Sequence, residues 1–576
     1  MKQTLEHDIL KLGDACCGCS ACAQICPKSC IRMEADEEGF AYPKIDEAVC
    51  IRCGRCDRAC PVLARRAEGG RSGQQTAAAA EDRSGQQAAA REDVYPRAVG
   101  GWIADDEIRA RSSSGGAFTA LAKRVIGRGG VVFGAAMGDD LVVRHIGVSR
   151  EEKLDALRGS KYVESRIGTV YQEVRDLLAQ GREVLFSGTP CQCAGLRAFL
   201  GKDDKALITV DFICHGVPSA KVFRSYLDQL EEDLGEKIIS FRFRLKDHGW
   251  RATGQQLGTQ IRTASGKMIR RYPAFADPFM NGFLDDAYLR RSCYQCAFKQ
   301  MPKRESDITI ADFWGVRGVD QKLDDGKGTS LLLIHSEKGE RLFGELQETF
   351  VSRDCGYEEA IRRNQSLIRS AELPARRGRF FAAYRSKPFK RVQRKFMNPV
   401  AWASHKAPSI LWNLFAGLVR KVMGALLGVA HIRWSEEQWA GFFQFVRFAL
   451  VGVTNAAVSY LINVVTLLIL HKTTSIWYDY IIANTTAFLL SVLWSYYWNS
   501  RKVFVEDEPG ERSVILTLLK TYATYAFTGI VVNNILSSLW INVLHVSKFA
   551  APLLNIPFTV PINFLVMKKW AYAKKK

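Results

Sequence analysis

The stretch Cys16-Cys-Gly-Cys19-Ser-Ala-Cys22-Ala-Gln-Ile-Cys26-Pro27 is matched in spacing by Cys50-Ile-Arg-Cys53-Gly-Arg-Cys56-Asp-Arg-Ala-Cys60-Pro61. Both are C-x2-C-x2-C-x3-C-P runs. Three thiolates in one tight loop take three corners of an iron-sulfur cubane, and the fourth, beyond the loop, crosses to the other cluster. The pattern predicts one [4Fe-4S] centre on Cys16, Cys19, Cys22 and Cys60, and a second on Cys50, Cys53, Cys56 and Cys26. Zinc knuckles or disulfides reach two complete runs of this kind only with difficulty. The chain is expected to handle electrons.

Working outward, these ligands must be reduced thiolates, which argues for a reducing compartment. Met1 to Leu12 contains no apolar h-region, so no signal peptide is expected and the front of the chain is placed in the cytoplasm. A length of 576 residues suggests roughly four domains. The 80 basic and 60 acidic residues give a formal charge of +20. Sixteen of the basic residues lie between Ile361 and Ser435, against the single acid Glu372. Positive charge packed just before apolar segments reads as a collar on an anionic membrane surface, with a generally basic soluble domain as the competing explanation. No nucleic-acid partner is expected.

The sequence divides into five parts. Residues 1–63 form an α+β two-cluster ferredoxin-like domain, and 64–93 an Ala- and Gln-rich flexible linker with too few large apolar residues to offset its ordering entropy. Residues 94–381 alternate helical and strand patterns: Ala117 to Ile126 and Thr169 to Leu178 are helical, while Val131 to Ala135, Val184 to Ser187 and Leu207 to Phe212 are strands. This predicts an α/β domain with a largely parallel core and a β-containing insert around Ile238 to Arg271. Residues 382–437 form a basic amphipathic connector; in the segment Pro408 to Ala430, Arg420 and Lys421 argue for an interfacial helix over a membrane span.

Residues 438–576 read as an all-α four-helix transmembrane domain. Phe448 to Leu470 has no charge and reaches about 34 Å as a helix. Tyr480 to Trp498, Thr521 to Leu544 and Ala550 to Met567 follow. Arg501, Lys502 and Arg512 after the second span, and Lys568, Lys569 and Lys574 to Lys576 in the tail, place both termini of this multi-pass protein in the cytoplasm.

In the middle domain, Arg111-Ser-Ser113-Ser114-Gly115-Gly116 opens a helical stretch. Hydroxyls and glycines there expose N–H groups to a phosphate, although such residues also make ordinary caps. Lys161 and Tyr162 add a cation and a ring suited to a flavin. Cys191, Cys214, Cys293 and Cys296 lie at strand ends or in loops and suit a third [4Fe-4S] centre; zinc or separately buried thiols fit the same spacing. Cys193 competes for one ligand position. His215 and Asp312 are candidate proton-handling groups, and Cys17, Cys30 and Cys355 are read as small buried residues.

Six ordered motifs carry a family resemblance: Ser113-Ser-Gly-Gly, Gly159-Ser-Lys-Tyr-Val, Ser187-Gly-Thr-Pro-Cys-Gln, Cys214-His-Gly-Val-Pro-Ser, Arg291-Ser-Cys-Tyr-Gln-Cys and Ser306-Asp-Ile-Thr-Ile-Ala-Asp-Phe-Trp-Gly. Residues 1 to 381 resemble the beta-subunit family of coenzyme F-420 hydrogenases and dehydrogenases. The resemblance implies an FAD-bearing domain with its own [4Fe-4S] cluster and favours Cys191, Cys214, Cys293 and Cys296 as ligands. Phe445-Val-Arg-Phe-Ala-Leu-Val-Gly-Val-Thr-Asn-Ala, Asn499-Ser-Arg-Lys-Val-Phe504 and Asn563 to Trp570 resemble the GtrA-like family, associated with polyprenyl-phosphate-linked sugars. Together they suggest an oxidoreductase on the inner membrane face, linking ferredoxin, a deazaflavin or a nicotinamide to a substrate in polysaccharide or polyprenyl-glycan synthesis. An electron-transfer subunit without its own small substrate, and a sugar-translocating protein with a redox-sensing half, are the alternatives.

Overall fold

The computed structural model describes residues 7–67, 95–250, 257–299, 304–398, 412, 415–424, 427, 434–473, 479–504, 513–546 and 551–572. Most of the proposed linker, much of the connector, and Arg512 and Lys574 to Lys576 lie outside the described residues. Two units are delimited, Met1–Lys406 and Ala407–Lys576.

The ferredoxin-like part is built on a hairpin of β1 (Ile31–Ala35) and β2 (Ala41–Ile45), registered with Ile31 opposite Ile45. The two cysteine loops bend alike. Gly18 and Ser20 in the first, and Arg52 and Gly54 in the second, take positive φ at equivalent offsets from Cys16 and Cys50. These left-handed residues turn the backbone so that successive cysteines face inward. The helices Ala21–Ile25 and Arg55–Arg58 then carry Cys22 and Cys56.

The larger domain holds an eight-stranded sheet. Its strands are β3 (Arg97–Ile103), β4 (Val131–Met137), β5 (Val143–Val148), β6 (Val184–Gly188), β7 (Leu207–Phe212), β11 (Ile308–Asp312), β12 (Ser330–Ile334) and β13 (Phe350–Cys355), in the spatial order β13-β3-β12-β11-β7-β6-β4-β5. The three pairings within β4-β6-β7-β11 are parallel, and the outer four are antiparallel. The expected parallel core is present, but the sheet is mixed: β12, β3 and β13 add an antiparallel wing. Val184, Leu185 and Phe186 are fully buried, as strands covered on both faces require. The expected insert is a separate antiparallel sheet of β8 (Ile238–Leu245), β9 (Gly258–Thr263) and β10 (Met268–Arg271).

Ferredoxin-like part and sheet domain are joined by buried ion pairs. Arg377 bonds Glu38 and the Leu289 carbonyl, and Gln24 Oε1 accepts from the Tyr171 amide at 2.9 Å. Arg290 is 1 % exposed; it donates to the carbonyls of Cys16 (3.2 Å) and Ala41 (2.9 Å) and to Glu164 (2.7 Å), with Tyr42 4.9 Å from its guanidinium.

The second unit is helical. Gln438–Leu470, within the helix Glu436–Thr473, has a mean hydropathy of 1.9 and is the one helix among the described residues long and apolar enough to cross a membrane unaided. Asp479–Trp498 is a 20-residue helix, and the expected third span falls in a contiguous helical run in which Val514–Ala526 passes through a π-helical stretch, Phe527–Val532, into Asn533–Ser538. Asn555 is buried, accepting from the Trp540 indole at 2.9 Å and donating to Ser537 at 2.8 Å, as an amide that ties helices together does.

Candidate functional site

The first predicted thiol set is gathered into one place. Cys16, Cys19, Cys22 and Cys60 line a single small cavity walled by Ile9, Leu12, Met33, Pro43 and Val62. Burial pushes the Cys16, Cys22 and Cys60 thiols upward, and Cys16 and Cys60 each raise Cys22 further. Thiols that raise one another in an apolar chamber ionise together only when a cation neutralises them, so this donor set fits a metal cluster. In the second set Cys50 and Cys56 lie close to His7, whose Nε2 is 3.3 Å from Cys50 Sγ and whose Nδ1 is 3.7 Å from Cys56 Sγ. Cys53 is exposed. Cys30 is not an isolated core thiol: its Sγ is 3.3 Å from that of Cys26.

The third set comes from three places. Cys191 lies in the first turn of the helix Pro190–Leu200 just after β6, Cys214 follows β7, and Cys293 lies within the 3-10 helix Arg291–Gln295, which Cys296 follows. Burial is the first cause that raises Cys214, to about 12, and Cys293 and Cys296, and Cys191 raises each of them further; Cys191 itself is raised first by its hydrogen bond with Cys17 and then by burial. The Val217 amide donates to Cys293 Sγ at 3.3 Å, and Lys299 lowers Cys214 and Cys296 in opposition to burial. Cys193 points elsewhere. It is fully buried, 4.0 Å from the Gly188 carbonyl, with Asp211 and Arg197 as its charged neighbours. Residues two apart on a helix differ by about 200° in direction, so Cys191 and Cys193 leave Pro190–Leu200 on opposite faces.

Beside these thiols is a cleft of about 790 Å³, within the range of cofactor sites. Cys17 lines both the first thiol cavity and this cleft, and Cys191 and Cys214 form part of the cleft wall. Cys17 is thus a junction residue that sequence reasoning passed over. Ser113, Ser114, Gly116, Lys161 and Tyr162 also line the cleft. Gly115 turns toward the sheet: its amide donates to Ser330 Oγ at 3.0 Å, and a Cβ there would collide with the Gly101 carbonyl oxygen. Ser114 likewise spends its hydroxyl on the Thr329 carbonyl. The Ser113 hydroxyl is 2.9 Å from that of Ser160, both residues lining the cleft, and Gly116 caps the helix Ala117–Gly127 there. Burial lowers Lys161 to about 7, and its Nζ donates to the carbonyls of Ala156 and Arg158. Tyr162 stacks on Phe283 with centroids 5.0 Å apart.

His215 faces the cleft with Nε2 2.6 Å from Asp286 Oδ1, an arrangement that fixes the imidazole plane. Asp312, the other proton-handling candidate, has both oxygens engaged: Oδ2 accepts from Arg244 Nη1 at 2.7 Å and Oδ1 from the Trp250 indole at 3.1 Å. Its present bonds suit a residue that positions Arg244. His145, unremarked in the sequence, is buried in the cleft wall between Ser165 and the Ser187 carbonyl, and burial lowers it to about 4.

Three family models match segments of the sequence. Residues 15–64 match the 4Fe-4S dicluster domain, 181–352 the C terminus of the coenzyme F420 hydrogenase/dehydrogenase beta subunit, and 447–572 the GtrA/DPMS transmembrane domain. The chain is a fusion of these three modules. The F420 match falls within the stretch expected from the motifs, beginning before Ser187 and ending past the Ser306 to Gly315 motif. A solved structure of the F420-reducing [NiFe] hydrogenase complex from Methanosarcina barkeri is similar at 18% identity over 45% of this chain and 82% of that one, with a TM-score of 0.32. No curated protein matches the chain.

Proposed function

We propose that this membrane redox protein is an iron-sulfur flavoprotein oxidoreductase. Cys16, Cys19, Cys22 and Cys60 would hold one [4Fe-4S] centre, Cys50, Cys53, Cys56 and Cys26 a second, and Cys191, Cys214, Cys293 and Cys296 a third, with FAD in the adjoining cleft. The observation that carries the reading is the position of Cys17, which joins the first thiol cavity to the cleft that Cys191 and Cys214 wall. The ordering supports a relay running from the exposed Cys53 loop inward to a buried ligand site. FAD would supply the exchange between two-electron and one-electron chemistry. Around it the chain's own residues do the positioning: Tyr162 offers a ring face, Ser113 and the N-terminus of Ala117–Gly127 offer donors to a phosphate, and Lys299 holds the Cys214 loop by donating to the His215 carbonyl at 3.2 Å.

The domain limits 1–63, 64–93, 94–381, 382–437 and 438–576 belong to this proposal, as do four membrane spans with both termini in the cytoplasm. The GtrA-type module supports a substrate connected with polyprenyl-phosphate-linked sugars, with ferredoxin, a deazaflavin or a nicotinamide as the other redox partner. Anaerobic purification of the full chain in mild detergent tests the core claim. Three cubanes predict about twelve irons with matching sulfide per chain, and one flavin. About eight irons would remove the third centre, and absence of flavin would overturn the enzyme reading. Donor oxidation that requires an added protein partner would instead support the electron-transfer subunit.

A further inference from the structure

Among the described residues that line the cleft, Arg244 is the one whose bonding is conspicuously incomplete. It sits near the end of β8, and its side chain is 6 % exposed. Its Nη1 is committed to Asp312 at 2.7 Å. The Nε and Nη2 atoms are buried and have no acceptor at full hydrogen-bond geometry among the described residues; the Tyr162 hydroxyl stands beside the guanidinium as its one further hydrogen-bonding neighbour besides Asp312. Those two nitrogens form one edge of the guanidinium, where two N–H bonds run parallel, the fork that matches the two oxygens of a carboxylate or phosphate. A buried cationic donor pair left open costs free energy unless a ligand completes it.

The surroundings hold this edge in place. Trp314 lies 5.4 Å from the guanidinium, and Trp250 stacks on Trp314 with rings 5.3 Å apart and 5° from parallel. Trp250 also donates to the second oxygen of Asp312, so the carboxylate that orients Arg244 is itself locked. Two residues along the strand, Lys246 Nζ donates to the carbonyls of Arg109 and Ser114, tying the insert to the Ser-Gly loop. Both acids of the cleft lining are already paired, Glu164 with Arg290 and Asp312 with Arg244, and Arg158 is paired with Asp155. An incoming oxyanion therefore meets no unpaired carboxylate among the described lining residues, and Arg363 adds a second cation.

We infer that the Nε–Nη2 edge of Arg244 receives an oxyanion, a carboxylate or phosphate group, of the molecule bound in this cleft. The inference rests on the reading of the cleft as the redox-ligand site. Two sources share this chemistry, the flavin pyrophosphate and a group on the substrate, and one set of variants separates them. R244K keeps the charge and loses the parallel fork; R244M keeps the stem and loses the charge. Full-length protein in detergent is prepared in each form, with iron content as the check that the fold is retained; if R244M fails to assemble, R244K alone decides. Binding of FAD, of riboflavin, and, to the flavin-loaded protein, of inorganic phosphate and benzoate is measured by calorimetry. If the flavin supplies the anion, the Kd for FAD rises about tenfold in R244K and about a hundredfold in R244M while riboflavin binding is unchanged. If the substrate supplies it, FAD binding holds and the affinity for phosphate or benzoate falls by the same factors. Equal binding of all four probes by all three proteins overturns the inference. A wild-type protein that takes up no flavin, yet binds phosphate in an Arg244-dependent way, would defeat the flavoprotein reading and leave this one standing.

Discussion

Replacing Arg290 by Ala should loosen the ferredoxin-like part from the sheet domain. The Arg290 guanidinium makes three charge-assisted hydrogen bonds, two to carbonyls of the ferredoxin-like part at Cys16 and Ala41 and one to Glu164. Glu164 is 17 % exposed, so R290A leaves a largely buried carboxylate unpaired. Breaking such a pair costs about 3–5 kcal/mol, of which much is the stranded charge. At about 1.4 kcal/mol per tenfold, local opening becomes roughly two to three and a half orders of magnitude more frequent. Hydrogen exchange of peptides covering β1 and β2 in the full-length protein reads this directly. The double variant R290M/E164Q removes both charges while filling the space, and should recover most of the protection. Acceleration below tenfold in R290A, or a double variant no better than the single, would refute the argument that a desolvated ion pair fastens the two parts.

Three further outcomes follow from the same geometry. Cys214→Ser should lower iron by about four atoms per chain, whereas Cys193→Ser should leave iron unchanged; the reverse pattern would make Cys193 the ligand. Gly18→Ala should destabilise the first cysteine loop and reduce its iron occupancy, because φ is +71° there and the new Cβ would collide with Arg290 Nη2; full iron with unchanged exchange in β1 would contradict this. His145 is held near 4 against an ordinary 6.5, so between those values the unfolded chain binds a proton that the folded chain refuses. Stability should therefore fall as pH drops from about 6.5 to 4, by up to about 3 kcal/mol from this residue, and H145Q should flatten that loss in hydrogen exchange of the β4–β5 peptides.

What the sequence made legible is what its chemistry encodes locally. The cysteine loops were readable because i, i+3 and i+6 thiols in a tight turn have one plausible use, and the left-handed residues at matching offsets are the backbone's way of achieving it. The parallel strands were readable because burial on both faces leaves continuous apolar runs such as Val184 to Phe186. The antiparallel wing was not, since the pairing of β3 with β12 and β13 is settled by long-range closure, to which the pattern of Arg97 to Ile103 is indifferent. The faces that Cys191 and Cys193 take likewise depend on the rotation of Pro190–Leu200 about its axis, and that is fixed by what the helix packs on. Arg244 escaped notice for a related reason: a lone Arg in an alternating strand reads as a solvated face. Its one sequence-level signal is the neighbouring Trp250, a large indole whose N–H must find a buried acceptor. That acceptor is Asp312, whose other oxygen holds Arg244 Nη1 at 2.7 Å, so the indole and the guanidinium are tied through one carboxylate.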